Sequence, residues 1–325
     1  MTTRIAATPA RPVARAPVRV ATAVSWTVVS VVLVADLAVP SGWRGFAWVV
    51  LVAGLLLGLP HGAVDHLVAG WWLGRRAPHV VGLVAAYAVV AGAAYGLFTT
   101  FPAAGLAVFV LLSGWHFGTG DLGFDDLRTG SSRRHRLLRA TAHAAVVLAL
   151  PALVHPGAVE PIVASITTTA PTVPESARTA AIAVVLVLVT LAVVGEWSQR
   201  RGLWATELVL LTLLVLTTDP LVAFGAYFGG WHSVRHLARV LVDNPANGPA
   251  LRRGSLREPL LGFSRAAVLP TAVSLGLLAA LWVSGDGWRD FAGDYMALLA
   301  GLTVPHLLVV AWSDRRRAAP GPVSR

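Results

Sequence analysis

Four short motifs hold the residues capable of chemistry. The first is Gly58-Leu59-Pro60-His61-Gly62-Ala63-Val64-Asp65-His66, and the second is Gly114-Trp115-His116-Phe117-Gly118 followed by Asp121. The third is Gly230-Trp231-His232-Ser233-Val234-Arg235-His236, and the fourth is Pro305-His306. Histidine dominates, and neutral imidazole is the commonest metal ligand among side chains. His232 and His236 stand at i and i+4, so a helix puts both rings on one face, as two ligands of one metal require. His61 and His66 are five apart, which turns them off a common face. Asp65, at i+4 from His61, is better aligned with it. It reads as an outer acceptor that fixes the ring tautomer of His61 and raises its basicity. Pro60 and its glycines can distort this segment, which keeps His66 as a reserve ligand. Imidazole-only ligation suits iron, copper, zinc or nickel. Zinc suits hydrolysis, yet no carboxylate beside a candidate ligand stands clearly as a base.

The elements that must position these residues are membrane helices. The chain has 325 residues, 56% hydrophobic and 13% charged. A soluble domain carries about twice that charge. The apolar residues come in blocks of about twenty, enough to cross a hydrocarbon core of about 30 Å. Spans are expected at 20–39, 45–69, 79–98, 103–120, 138–153, 179–197, 203–217, 220–240, 266–284 and 294–313. The fold class is therefore all-α, a polytopic bundle of about ten transmembrane helices. It becomes eight if 203–217 and 220–240 form one bent or re-entrant unit. Arginines cluster after every second span, as at Arg75–Arg76, Arg128–Arg139, Arg200–Arg201, Arg252–Arg265 and Arg315–Arg317. The positive-inside rule then puts both termini in the cytoplasm. Residues 1–19 read as a basic disordered tail, 20–313 as the transmembrane catalytic domain, and 314–325 as a basic cytoplasmic tail. The outer connection 154–178 has room for a short interfacial helix. The expected location is the plasma membrane.

Depth ties the motifs together. The second, fourth, eighth and tenth spans all run from outside to inside, and His61, His116, His232 and His306 each fall roughly 12 to 16 residues into one of them. They share a layer in the cytoplasmic half of the bilayer, where ionisable groups are costly and commonly functional. His61, His116, His232 and His236 are the expected metal ligands. Asp65, His66, Asp121, Glu207 and His306 are outer-shell groups or reserve ligands, with helix packing as the competing reading for His306. Glu207 either orients a histidine or snorkels to the interface. Trp115, Phe117, Tyr227 and Trp231 lie beside the ligand motifs and would wall an apolar substrate cavity. His79, His135, His143 and His155 read as packing or loop residues, and the motif glycines as points of close helix approach.

Composition also excludes. There is no cysteine, so no disulfide, thiolate site or iron–sulfur cluster exists. The net charge of +10 comes from arginines placed between apolar blocks, not from a nucleic-acid-binding face. A membrane di-iron desaturase or hydroxylase needs about eight histidines including an adjacent pair, and no His-His pair occurs here. A transporter with a histidine and acid proton relay predicts ionisable groups spread through the membrane depth, whereas these lie in one layer.

Pro-His-Gly-Ala-x-Asp-His, Trp-His-Phe-Gly-x-x-Asp and Trp-His-Ser-x-Arg-His, in that order, resemble the Brp/Blh family of membrane β-carotene 15,15′-dioxygenases. The likeness runs from about His61 to His306. It implies cleavage of the central double bond of β-carotene by O2 to two molecules of all-trans-retinal. It also implies Fe(2+) held by the positions His61, His116, His232 and His236, and retinal supplied to a rhodopsin. The substrate would reach the site laterally among the membrane lipids.

Overall fold

In lipid, backbone polar groups must be paired within the chain, and long apolar runs meet that demand as helices. The computed structural model describes residues 15–39, 42–43, 45–73, 77–130, 135–167, 172–284 and 288–318. No strand occurs among the described residues. The helices are α1 (Arg15–Ala38), α2 (Ala47–Gly58), α3 (Asp65–Leu73), α4 (Ala77–Thr100), α5 (Pro102–Thr129), α6 (Arg136–Ala144), α7 (Leu150–Val154) and α8 (Pro156–Thr167). They continue as α9 (Glu175–Ser198), α10 (Gly202–Thr217), α11 (Pro220–Gly225), α12 (Ser233–Asp243), α13 (Gly248–Arg252), α14 (Arg257–Ser284) and α15 (Trp288–Ala318). A 3₁₀ turn, Leu59–His61, ends α2, and π-helical segments join α6 to α7 (Ala145–Ala149) and α11 to α12 (Ala226–His232).

The chain is an all-α polytopic membrane protein. Ten spans were expected; eight described helical segments are long and apolar enough to cross a bilayer. The difference lies at 203–217 and 220–240. Helix α10 has 16 residues, about 24 Å of helix, and Trp204, Leu208, Leu211 and Leu214 on it are among the most buried side chains. The α11–π–α12 segment carries Arg235 and Arg239, both 2% exposed. Both elements are core. A short helix, α8, stands within the connection 154–178.

Two boundaries differ from expectation. Residues 15–19, placed in the N-terminal tail, open α1, because Val18 and Ala21 pack against Phe124 and Ala238. Residues 314–318, placed in the C-terminal tail, continue α15, where Asp314 pairs with Arg239 and Arg317 with Asp243. The rest of both tails, 1–14 and 319–325, lies outside the described residues.

The polarity of the fold is inverted. Lipid-facing helices expose Val81, Val84 and Val89 on α4 and Val268, Leu269 and Val283 on α14, while Asp121, Asp125, Arg139, Glu207 and Arg235 are buried. One contact sets the frame of the site. A Cβ at Gly54 would lie 2.2 Å from the carbonyl oxygen of Gly225, and one at Gly229 would lie 2.7 Å from that of Gly54. Only glycine allows α2 to meet the end of α11 and the π segment backbone to backbone, and that contact brings the two ends bearing His61 and His232 together.

Candidate metal centre

Pro60 cannot continue an α-helix: it lacks the N–H and its ring crowds the preceding turn. Helix α2 therefore closes as a 3₁₀ turn that ends on His61, whose Nδ1 lies 2.5 Å from the Gly58 carbonyl oxygen. That bond fixes Nδ1 as the donor and leaves Nε2 with a lone pair. His116 comes from α5. His232 is the last π residue and His236 sits one turn into α12. The π segment re-phases the helix, as such bulges commonly do at functional sites.

Ligand atoms of His61, His116 and His232 all lie within 4.8 Å of one another. His236 joins them, with ring centroids 5.3 Å from His61 and 6.3 Å from His116 and His232. His306 does so too, at 4.9 Å from His61, 5.0 Å from His116 and 5.2 Å from His236. Five rings, from the turn after α2, from α5, the π segment, α12 and α15, thus pack into one cluster. His116, His232, His236 and His306 are each 4–6% exposed. Each keeps one buried ring nitrogen without a hydrogen-bond partner: Nε2 of His116, His232 and His306, and Nδ1 of His236. Buried polar atoms are normally satisfied. A transition-metal ion is what such converging imidazole lone pairs fit.

A family model of β-carotene 15,15′-dioxygenases matches residues 52–314, a stretch that holds all five histidines. The chain belongs to that family. Three curated relatives agree. The probable β-carotene 15,15′-dioxygenase Blh of Halobacterium salinarum is 30% identical over 91% of this chain and 93% of its own. The β-carotene 15,15′-dioxygenase of an uncultured marine bacterium is 25% identical over 81% and 92%, and the probable dioxygenase Brp of H. salinarum is 27% identical over 83% and 84%. No solved structure matches. Family membership makes this protein a carotenoid-cleaving dioxygenase, built as a multi-pass membrane helical bundle.

In this dioxygenase Asp65 does not serve His61. The turn at Pro60 and the loop Gly62–Val64 break the helix on which the i+4 reading depended. Asp65 reaches α15 instead, with both carboxylate oxygens 3.0 Å from Nδ1 of His306. No ring contact joins His66 to the cluster among the described residues. Among the described residues Asp121 and Glu207 make no hydrogen bond to the five rings either; they anchor a buried ion network beside them. Arg235 donates to Asp121 at 2.7 Å and to Glu207 at 2.7 Å. Asp121 also accepts from the indoles of Trp204 and Trp231, each at 3.1 Å. Glu207 accepts from Trp26 at 3.0 Å and Arg128 at 2.7 Å. Arg128 and Arg139, read as loop charges, are both in this network, the latter 2.7 Å from Asp125.

The expected cavity residues separate. Trp115 is 55% exposed on the outer face of α5. One residue turns a helix about 100°, so the neighbour of an inward His116 points out. Trp231 stacks on the Arg235 guanidinium at 3.7 Å, and the Tyr227 hydroxyl bonds Nε2 of His143 at 3.0 Å. Phe117 lies nearest the candidate ligands, its ring 4.7 Å from that of His232, and the Tyr227 ring stands 6.2 Å from the same imidazole. Phe224 and Phe228, both half-buried, join the site although neither was expected in it. Phe224, Phe228, His232 and His236 form a ladder of near-parallel rings at 5.9, 6.1 and 6.3 Å. Their four-residue spacing was the signal available. Arg235 was overlooked as well, although it lies inside the third motif.

Proposed function

We propose that this protein cleaves the central 15,15′ double bond of β-carotene with O2, using Fe(2+) held by His61, His116, His232 and His236. The five-ring cluster with its unpartnered nitrogens carries the reading, and the family and its named relatives supply the substrate. The reaction balances as one O2 and one β-carotene giving two retinals. The C15=C15′ bond breaks, each of its carbons gains one oxygen atom, and the alkene is oxidised as dioxygen is reduced.

When bound, iron supplies the one-electron chemistry that ground-state dioxygen needs to attack an alkene. The chain does the rest. Four neutral imidazoles hold the ion without cancelling its charge. Phe117, Phe224 and Phe228 present an apolar wall at the ligand rings, against which a polyene lies flat. The bilayer delivers the substrate laterally and keeps the site poor in water. No protein acid or base is required, since no proton is consumed in the balanced reaction.

The centre lies in the cytoplasmic half of the plasma membrane, where the product reaches a retinal-binding rhodopsin. Five described histidines gather into one buried cluster, which favours a single metal over the eight-histidine di-iron oxidase. The buried acids Asp121 and Glu207 are held by arginine, which favours structure over a proton relay. Expression in β-carotene-producing cells tests the reading: orange colour is lost and retinal appears, and the pair His232→Ala and His236→Ala abolishes both changes. Persistent β-carotene with a folded, iron-loaded protein would overturn it.

A further inference from the structure

A ligand imidazole needs a free lone pair on one nitrogen and an acceptor holding the proton of the other. His306 meets both conditions. Its Nδ1 donates to the Asp65 carboxylate, with both oxygens at 3.0 Å. Its Nε2 is buried and has no partner. Asp65 is itself held: the Tyr87 hydroxyl lies 3.3 Å from Asp65 Oδ2 and 3.1 Å from the Leu302 carbonyl oxygen. Since Leu302 precedes His306 by four residues on α15, Tyr87 ties the carboxylate and the histidine's own helix to α4. A histidine that served only to pack helices would have no need to leave Nε2 bare against three other imidazoles, those of His61, His116 and His236.

We infer that His306 is a fifth imidazole ligand of the centre, and that Asp65 and Tyr87 are the residues that position it. The inference rests on the iron reading above. It gives the centre a carboxylate that donates electron density through one ligand only. Asp65 thereby raises the basicity of His306 and steadies the ferric state relative to the ferrous.

X-ray absorption of the full-length protein loaded with ferrous iron tests this directly. The expected coordination is five imidazole nitrogens in the wild type and four in His306→Gln. The variant should release iron to a ferrous chelator about 10- to 100-fold faster. Asp65→Ala should speed release and raise the ferric/ferrous potential. Asp65→Asn, which keeps an acceptor but loses the charge, should restore the release rate and not the potential. A wild-type centre with four imidazoles and a His306→Gln spectrum unchanged from it would overturn the inference while leaving the iron reading intact. A wild-type chain that takes up no iron would sink the iron reading itself. The wild-type spectrum decides even if a variant fails to fold.

Discussion

Arg235 is the residue on which two buried acids depend. It is 2% exposed and bridges Asp121 and Glu207 from α12 while its face rests on Trp231. Removing one partner of a buried ion pair strands the other charges and costs about 3–5 kcal/mol. Arg235→Ala should therefore lower thermal stability severely. Arg235→Lys should lower it less, because the charge stays and the forked geometry goes. The control is Arg253→Ala, whose pair with Glu258 is 61% and 65% exposed and is worth about 0–1 kcal/mol. Equal losses for Arg235→Ala and Arg253→Ala in a thermal melt would refute the structural role. At this scale the sequence exposed types better than partners. Histidines stand out in apolar spans, so all five of the gathered rings were legible. Asp65 was matched to the wrong histidine, because sequence spacing assumes a continuous helix and its true partner is 241 residues away. Trp115 was misplaced because adjacency along a helix is not adjacency in space.

Helices were the easiest feature to read, because an apolar run of twenty residues has few alternatives in a membrane protein. What hydropathy could not separate was a lipid-facing helix from an apolar helix buried in the core, and α10 is the second kind. Nor does composition announce a π segment: Ala226–His232 reads as ordinary helix, yet its phase sets where His232 points. The contact that seats it is glycine on glycine. Gly54→Ala should drive α2 away from α11 and the π segment that continues it, and cut iron occupancy, since its Cβ would meet the Gly225 backbone at 2.2 Å. Gly96→Ala on α4, where a Cβ meets nothing within 4 Å, should bind iron normally. Metal analysis of the two purified variants checks this, and undiminished iron in Gly54→Ala would show that the contact does not seat the centre.

The whole molecule turns the usual globular pattern inside out, with valine and leucine facing lipid and arginine, aspartate and histidine inside. The positive-inside rule, applied to the arginines outside the ion network, predicts its orientation, since Arg128 and Arg139 belong to the interior. The chain has no cysteine, so single introduced thiols report sidedness cleanly. Arg253→Cys, in the arginine-rich connection before α14, should react with an impermeant maleimide only after the cells are opened. Val173→Cys, in the opposite connection before α9, should react in intact cells. The reverse pattern would place the histidine centre in the outer half of the bilayer. The central claim concerns the reaction. Purified protein loaded with ferrous iron and given β-carotene under air should yield two retinals for each β-carotene consumed, and none without iron. Unequal apocarotenal fragments, or the same yield from iron-free protein, would contradict it.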